Sequence, residues 1–260
     1  MEAHELLKIY DQEQRIDVIQ PNTHRDVNGR VIRHITPSEN FGFISHSRLD
    51  EASVDAEIEA QIAFFNDLGM GFEWKVYDHD QPADLRERLS ARGFDIEDRE
   101  ALMVLDLDAA PDFIWSIPLP VIERVTDLDG LERIRQLEEE VWGDDHAWMI
   151  PRMGADLRAT PDQLSMFGVR ADGKIVSAAW IYYHPPTRFG SLWGGSTLPD
   201  YRGRGYYTAL LAVRAREARQ RGYRFLTVDA SPMSRPILEK HGFQFLGYST
   251  PCVWNSKPSA

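Results

Sequence analysis

Between Arg202 and Tyr207 the chain reads Arg-Gly-Arg-Gly-Tyr-Tyr. Two glycines without Cβ atoms let the main chain approach a ligand closely. The apolar pattern from Tyr206 to Arg221 predicts a long helix ended at Gly222. A helix start exposes N–H groups without intrahelical acceptors and carries the positive end of a dipole. Together these features suit an anion, in particular a pyrophosphate. Arg202 and Arg204 add planar cations whose geometry matches phosphate oxygens.

The elements that must hold this loop are legible on both sides of it. Ser191 to Leu198 predicts a strand, interrupted at Gly194-Gly195, and Pro199 opens a turn. The glycine pair reads equally well as a bulge or as a plain loosening of the strand. Gln163–Arg170 and Lys174–Tyr183 pair as a hairpin across Ala171-Asp172-Gly173. Leu131, Ile134, Leu137 and Val141 recur on one face of a helix over 128–142. Arg224 to Asp229 predicts a strand, Ser234 to His241 a short helix, and Phe243 to Trp254 a final strand or hairpin.

The first half repeats part of this order. A helix over 50–68 ends at Gly69, a strand runs from Phe72 to Asp78, and a short helix stops at Gly93. Leu89-x-x-x-Gly93-Phe94 then matches Leu238-x-x-x-Gly242-Phe243. Duplication accounts for four elements in one order better than coincidence does. The first copy has no glycine-rich basic loop; Phe41 to Asp50 stands in its place. Pro111, Pro118 and Pro120 mark residues 109–120 as a connector. The expected organisation is a lobe over 1–108, a linker over 109–120 and a second lobe over 121–260. The expected fold class is α/β (α+β): a mixed, mostly antiparallel sheet flanked by helices, in two related lobes.

Composition restricts the partners. The chain has 41 acidic and 29 basic side chains, a formal net charge of −12. Such a field disfavours nucleic acid and anionic membrane and favours cationic partners. Cys252 is the only cysteine, so neither an internal disulfide nor a cysteine-based zinc site is possible. No histidine pattern has metal-ligand spacing. No apolar run nears the ~20 residues of a membrane span. The expectation is a cytoplasmic monomer or homodimer without a metal.

Two nucleotide motifs fail. Gly203-x-Gly205 with Asp229 mimics a dinucleotide fingerprint, but the third glycine is absent and too little chain follows Asp229 for a doubly wound sheet. A Walker-type loop would need Gly-Lys-Ser/Thr. The second half instead resembles the GNAT superfamily of acyl-CoA N-acyltransferases. Its Arg/Gln-x-x-Gly-x-Gly/Ala loop is matched by Arg202-Gly203-Arg204-Gly205-Tyr206-Tyr207, and its Gly-Phe close by Leu238 to Phe243.

The resemblance implies that main-chain amides from Arg202, Gly203, Arg204, Gly205, Tyr206 and Tyr207 hold the CoA pyrophosphate. Backbone groups of Thr197 and Leu198 would meet the pantetheine arm, the Leu198 N–H polarising the thioester carbonyl. Acetyl-CoA is the expected co-substrate and a small-molecule amine the acceptor. Acceptor contacts would fall on Asp144, Asp145 and His146, where two carboxylates suit a cationic amine, although a solvated acidic loop is the more ordinary explanation. Tyr182, Tyr183 and His184 end a central strand and could reach the site, although aromatics at strand ends are more often core edge than catalytic. The chain departs from the family pattern at Tyr207, which requires its ring to point away from the phosphates. It departs again at Leu238, where a tyrosine acid is common, and near Leu192, where some members place a glutamate base. The catalytic residues therefore stay unassigned. A non-catalytic acyl-CoA sensor and an aminoacyl transferase on a tandem scaffold remain as alternatives.

Overall fold

A computed structural model of the chain describes residues 1–37 and 40–256, so residues 257–260 of the expected second lobe lie outside it. In chain order the elements are α1 (Ala3–Tyr10), a π-helical turn (Asp11–Ile16), β1 (His24–Asn28), β2 (Val31–Thr36), β3 (Phe41–Ser47), α2 (Val54–Asp67), β4 (Gly71–Tyr77), α3 (Leu85–Ala91), β5 (Asp95–Ile96) and β6 (Glu100–Asp106). There follow α4 (Phe113–Ser116), β7 (Ile122–Val125), α5 (Leu128–Trp142), α6 (Met149–Ala159), β8 (Leu164–Ala171), β9 (Lys174–Tyr183) and β10 (Phe189–Thr197). A 3-10 turn (Pro199–Tyr201), α7 (Tyr206–Gln220), β11 (Phe225–Ala230), α8 (Arg235–Lys240) and β12 (Gln244–Trp254) complete the chain. Strand β1 falls where the sequence reads as a polar turn; its ladder with β2 leaves both its ends exposed, so no apolar pattern announces it.

The chain divides into two compact units, and the division does not follow the linker. Unit one is Met1–Met103 with Asp229–Ile237 and the chain from Gln244 onward; unit two is Val104–Val228 with Leu238–Phe243. The last strand belongs to unit one because β12 pairs antiparallel with β4 over Phe72–Tyr77 and with β5. Residues 109–120 are packed in unit two rather than free. Ile114 is fully buried, Arg219 lies over the Trp115 ring, and Arg216 donates to the Ile117 carbonyl at 2.7 Å.

Unit one orders its strands β1-β2-β3-β4-β12, all antiparallel except the β3–β4 pair. The apolar stripe Val54, Ile58 and Phe65 of α2 is buried against Ile44, Phe72 and Trp74. The Phe65 and Phe72 rings stack at 4.3 Å. Burial of each such side chain contributes roughly 1.5–3 kcal/mol. Parallel pairing of β3 with β4 ends at Ile44–Trp74, and β3 runs on to Ser47 without it. Arg15 fills the region beyond. Its Nε donates to the Ser45 carbonyl at 3.2 Å, its Nη2 holds both Asp80 oxygens at 2.7 and 2.8 Å, and its guanidinium lies 4.0 Å from the Tyr77 ring centre.

Unit two orders its strands β11-β10-β9-β8-β7, again with one parallel pair, β10–β11. The β8–β9 hairpin turns through Asp172 and Gly173, both at positive φ, as a two-residue loop with right-handed strand twist requires. Helix ends of one form occur in both units. Met70 N–H donates to Phe65 and Gly69 to Asn66; Tyr223 donates to Ala218 and Gly222 to Arg219. Phe94 donates to Leu89 and Gly93 to Ser90; Phe243 donates to Leu238 and Gly242 to Glu239. Each is a helix end closed by a left-handed glycine.

Candidate active site

The parallel pairing of β10 with β11 covers Phe189–Ser191 and Phe225–Thr227 and stops there. Beyond it β10 continues to Thr197, paired only with β9 on its other side. The two strands thus part after Ser191–Thr227, leaving one edge of β10 without a ladder. Gly194 pairs with Ala179 and Ser196 with Ala178, so Gly195 is the extra residue of a β-bulge. Both glycines have positive φ, and a Cβ on Gly195 would come within 2.8 Å of the Tyr207 ring. The bulge and the start of α7 are therefore fitted to each other, and the Tyr207 ring lies under β10 rather than in the loop.

Arg214 of α7 ties the same region from below. It is buried, and its Nη1 donates to the Trp180 and Trp193 carbonyls at 3.1 and 3.2 Å while its Nε donates to Leu210. Burial pulls the guanidinium down to about 10, with Tyr207 and Tyr183 acting against that. Nothing in the sequence distinguishes this arginine from its surface neighbours on α7; its place opposite the bulge is a tertiary fact.

The loop leading into α7 has the form the sequence predicts. Gly203 and Gly205 have φ of +74° and +80°, and Gly205 is the N-cap. Residues 202–205 are exposed. Among the described residues, the N–H groups of Gly203, Arg204, Gly205, Tyr206, Tyr207 and Thr208 have no backbone acceptor, whereas Arg202 donates to Pro199 and Ala209 to Gly205. Six consecutive amides at a helix start thus lack a main-chain acceptor, as the first turn of a helix leaves them. The arginines brace the loop. Arg202 Nε donates to the Thr197 carbonyl at 3.1 Å, and Arg204 donates to the Asp200 carbonyl at 3.0 Å.

Two expectations fail here. The Arg202 N–H donates to the Pro199 carbonyl at 3.2 Å, so it is not available to a diphosphate. The Leu198 N–H donates to the Val176 carbonyl at 3.0 Å, so it faces β9 and is not available to polarise a thioester. Main-chain groups of successive strand residues point to opposite edges, so those of Thr197 face the gap. The Thr197 carbonyl, held by Arg202, agrees with that direction.

On the α5–α6 side of β10 the bulge places Ser191, Trp193 and Ser196 on one face, opposite Tyr182, Trp180 and Ala178. Trp193 is 50% exposed. Its Nε1 donates to Ser191 Oγ at 2.9 Å, and His184 Nε2 lies 2.6 Å from the same oxygen. Ser196 Oγ donates to Glu138 Oε2 at 2.6 Å, and Trp142 Nε1 donates to Glu138 Oε2 and to Ser196 Oγ at 3.0 Å each. Glu138 is buried, which pushes its carboxyl above the ordinary range; the bonds from Ser196 and Trp142 oppose this. Its Oε1 has no partner among the described residues. Sequence reading missed Glu138. The signal was a carboxylate beside Leu137 on the apolar stripe of α5, where a solvated glutamate does not belong.

The acidic loop is only partly what was expected. Gly143 ends α5 in a left-handed conformation. The Asp145 carboxylate accepts from the Ala147 N–H at 2.8 Å, His146 contacts the Asp144 carbonyl at 3.0 Å, and the His146 N–H donates to Glu139. Asp145 thus caps a turn, while Asp144 stays exposed. Leu238, at the place of the expected tyrosine, is buried and offers no proton. Cys252 is buried, and burial pushes its thiol up to about 12, which removes it as a nucleophile at neutral pH. No described helix is long and apolar enough to cross a membrane.

The acetyltransferase (GNAT) family profile matches residues 129–243, from α5 through the Gly242-Phe243 close. No curated protein matches the sequence. Solved structures similar over almost the whole chain include a GCN5-related N-acetyltransferase from Kribbella flavida, 14% identical with a TM-score of 0.66, covering 98% of this chain and 95% of that one. A tandem GNAT protein from the clavulanic acid biosynthesis pathway is 12% identical with a TM-score of 0.60, covering 99% and 96%. A GCN5-related N-acetyltransferase from Sphaerobacter thermophilus is 14% identical with a TM-score of 0.59, covering 100% and 87%. At these identities the likeness is one of fold.

Proposed function

We propose that the protein is an acyl-CoA-dependent acyltransferase built on the GNAT-type region over residues 129–243, and that it moves an acetyl group from acetyl-CoA to a primary amine of a small molecule by direct attack in a ternary complex. The observation that carries the reading is the set of unengaged amides from Gly203 to Thr208 beside an unladdered edge of β10. The amides receive the diphosphate. The pantetheine arm continues back along β10, its amides meeting the Thr197 main chain. Arg202 and Arg204 supply charge around the phosphates while bracing the loop. The exposed Asp144 and the aromatic faces of Trp142 and Trp193 meet a cationic acceptor.

The chemistry required is small. An alkylamine has a pKa near ~10, so most of it is protonated at neutral pH. The site must remove one proton and hold the nitrogen against the thioester carbon, and positioning alone contributes on the order of 7–11 kcal/mol in good cases. The same reading makes the first lobe a trimmed copy without a donor site. In support, β3 leads into α2 with no glycine loop, and Arg15 takes the Ser45 carbonyl in the region where β3 leaves β4.

Calorimetric titration of CoA into the parent and Gly205→Glu tests the donor site; equal affinities would refute it. The apolar Leu238 favours a second reading, an acyl-CoA sensor without turnover. Acetyl-CoA consumption over a panel of primary amines separates the two.

A further inference from the structure

The donor reading leaves open which group takes the proton from the acceptor. Ser191 closes the fork: its pair with Thr227 is the last before β10 and β11 separate. Five strand steps, with the bulge residue discounted, separate it from Thr197, about 17 Å at ~3.3 Å per step. An arm that enters at the α7 loop and runs back along β10 therefore brings its thioester end toward Ser191.

Hydrogen-bond counting at Ser191 Oγ limits what the hydroxyl can still accept. A hydroxyl has one proton to donate and two lone pairs. Trp193 Nε1 can only donate, so it occupies one lone pair at 2.9 Å. His184 Nε2 lies 2.6 Å from the same oxygen, and the imidazole is buried. If the Ser191 proton points to His184, the second lone pair is left for an incoming donor; Ser191 is itself 9% exposed, beside the half-exposed Trp193. An ammonium N–H is such a donor, and the indole face beside it suits a cation.

We propose that Ser191 is a catalytic residue that relays a proton from the acceptor amine to His184. This rests on the donor-site reading above. The ammonium gives one proton to Ser191 Oγ as the Ser191 hydroxyl proton passes to His184 Nε2, leaving a neutral amine and an imidazolium. The nitrogen lone pair then forms the N–C bond, and the carbonyl π pair moves to oxygen. Collapse of that oxyanion breaks the C–S bond, and the departing thiolate takes the second surplus proton of the nitrogen. His184 returns its proton to solvent through Ser191, so each turnover yields the amide, CoA and one proton. His184 never touches the substrate; it positions the hydroxyl and stores the charge.

The test uses the full chain with acetyl-CoA and a panel of primary alkyl- and arylalkylamines. Ser191→Ala is expected to lower kcat about 10²–10³-fold, within the usual range for loss of acid–base help. KM for acetyl-CoA and the CoA affinity should stay within about twofold of the parent. Ser191→Thr keeps the hydroxyl and should recover most of the rate. His184→Gln can accept the Ser191 hydrogen bond but cannot hold the proton, so it should fall as far as Ser191→Ala. Full rate in His184→Gln, or no rescue by threonine in a folded variant, overturns the relay. A readout independent of the acceptor is the tautomer of His184 by nitrogen-15 NMR. The relay needs a neutral ring protonated on Nδ1, and a proton on Nε2 in the CoA complex overturns it. None of these variants alters the α7 loop, so failure of the donor site, read by Gly205→Glu, is a separate outcome.

Discussion

Replacing Gly205 separates backbone strain from charge. The residue sits at φ +80°, and a Cβ there would meet nothing within 4 Å. Gly205→Ala therefore adds only the cost of a left-handed L-residue, about 1–2 kcal/mol. That cost is present in both the free and the CoA-bound protein, so it should lower unfolding stability and leave affinity nearly unchanged. Gly205→Glu adds the same strain and a carboxylate at the mouth of the amide set. At ~6 Å from one phosphate charge, with an effective dielectric of ~20–40, repulsion is about 1.4–2.8 kcal/mol. The expected loss of CoA affinity is thus about 10- to 100-fold relative to Gly205→Ala. The gap should narrow at high salt, because the screening length falls from ~10 Å at 0.1 M to ~3 Å at 1 M. Calorimetry at two ionic strengths and urea unfolding of the three proteins measure both terms. Gly29→Glu, another glycine at positive φ with open space around it, controls for charge and strain placed in unit one. If Gly205→Glu binds CoA as Gly205→Ala does, the diphosphate is not held there.

Three further outcomes are expected. Arg15→Ala should destabilise the protein by about 3–5 kcal/mol in urea, because it strands the buried Asp80 carboxylate; a loss below ~1 kcal/mol would mean that Asp80 finds another partner. Burial raises the Glu138 carboxyl, so the folded chain keeps a proton that the unfolded chain has already released. The ionised group then costs stability above its folded value, and the cost vanishes as pH falls through that value toward the unfolded one. Glu138→Gln should accordingly gain stability relative to the parent as pH rises from ~4 to ~8; a pH-independent difference refutes the assignment. Gly93→Ala and Gly242→Ala share the left-handed strain, but a Cβ on Gly242 would come within 2.6 Å of the rigid Pro111 ring, against 3.8 Å from Trp254 at Gly93. Gly242→Ala should be the more destabilising by roughly 1–3 kcal/mol, and equal melting shifts would show that Pro111 yields.

The sequence alone determined what depends on local chemistry. Only glycine sits comfortably at the φ of residues 203 and 205, so Arg-Gly-Arg-Gly ahead of an apolar-periodic run specifies a left-handed turn into a helix start before any folding is considered. The helix ends at Gly69, Gly93, Gly222 and Gly242 were legible for the same reason. Tertiary structure decided everything that depends on partners distant in the chain. The edge to which a strand N–H points is set by pairing register, and register turned Leu198 toward Val176 and left Thr197 facing the gap. Assignment of β12 to unit one followed from its ladder with β4, a choice no local pattern encodes. Glu138, Arg214, and Ser191 with His184 carry ordinary side chains at ordinary spacings. Their burial against the bulge and the fork, which shifts the proton affinity of Glu138 and Arg214 and brings Ser191 against His184, exists only once the sheet has formed.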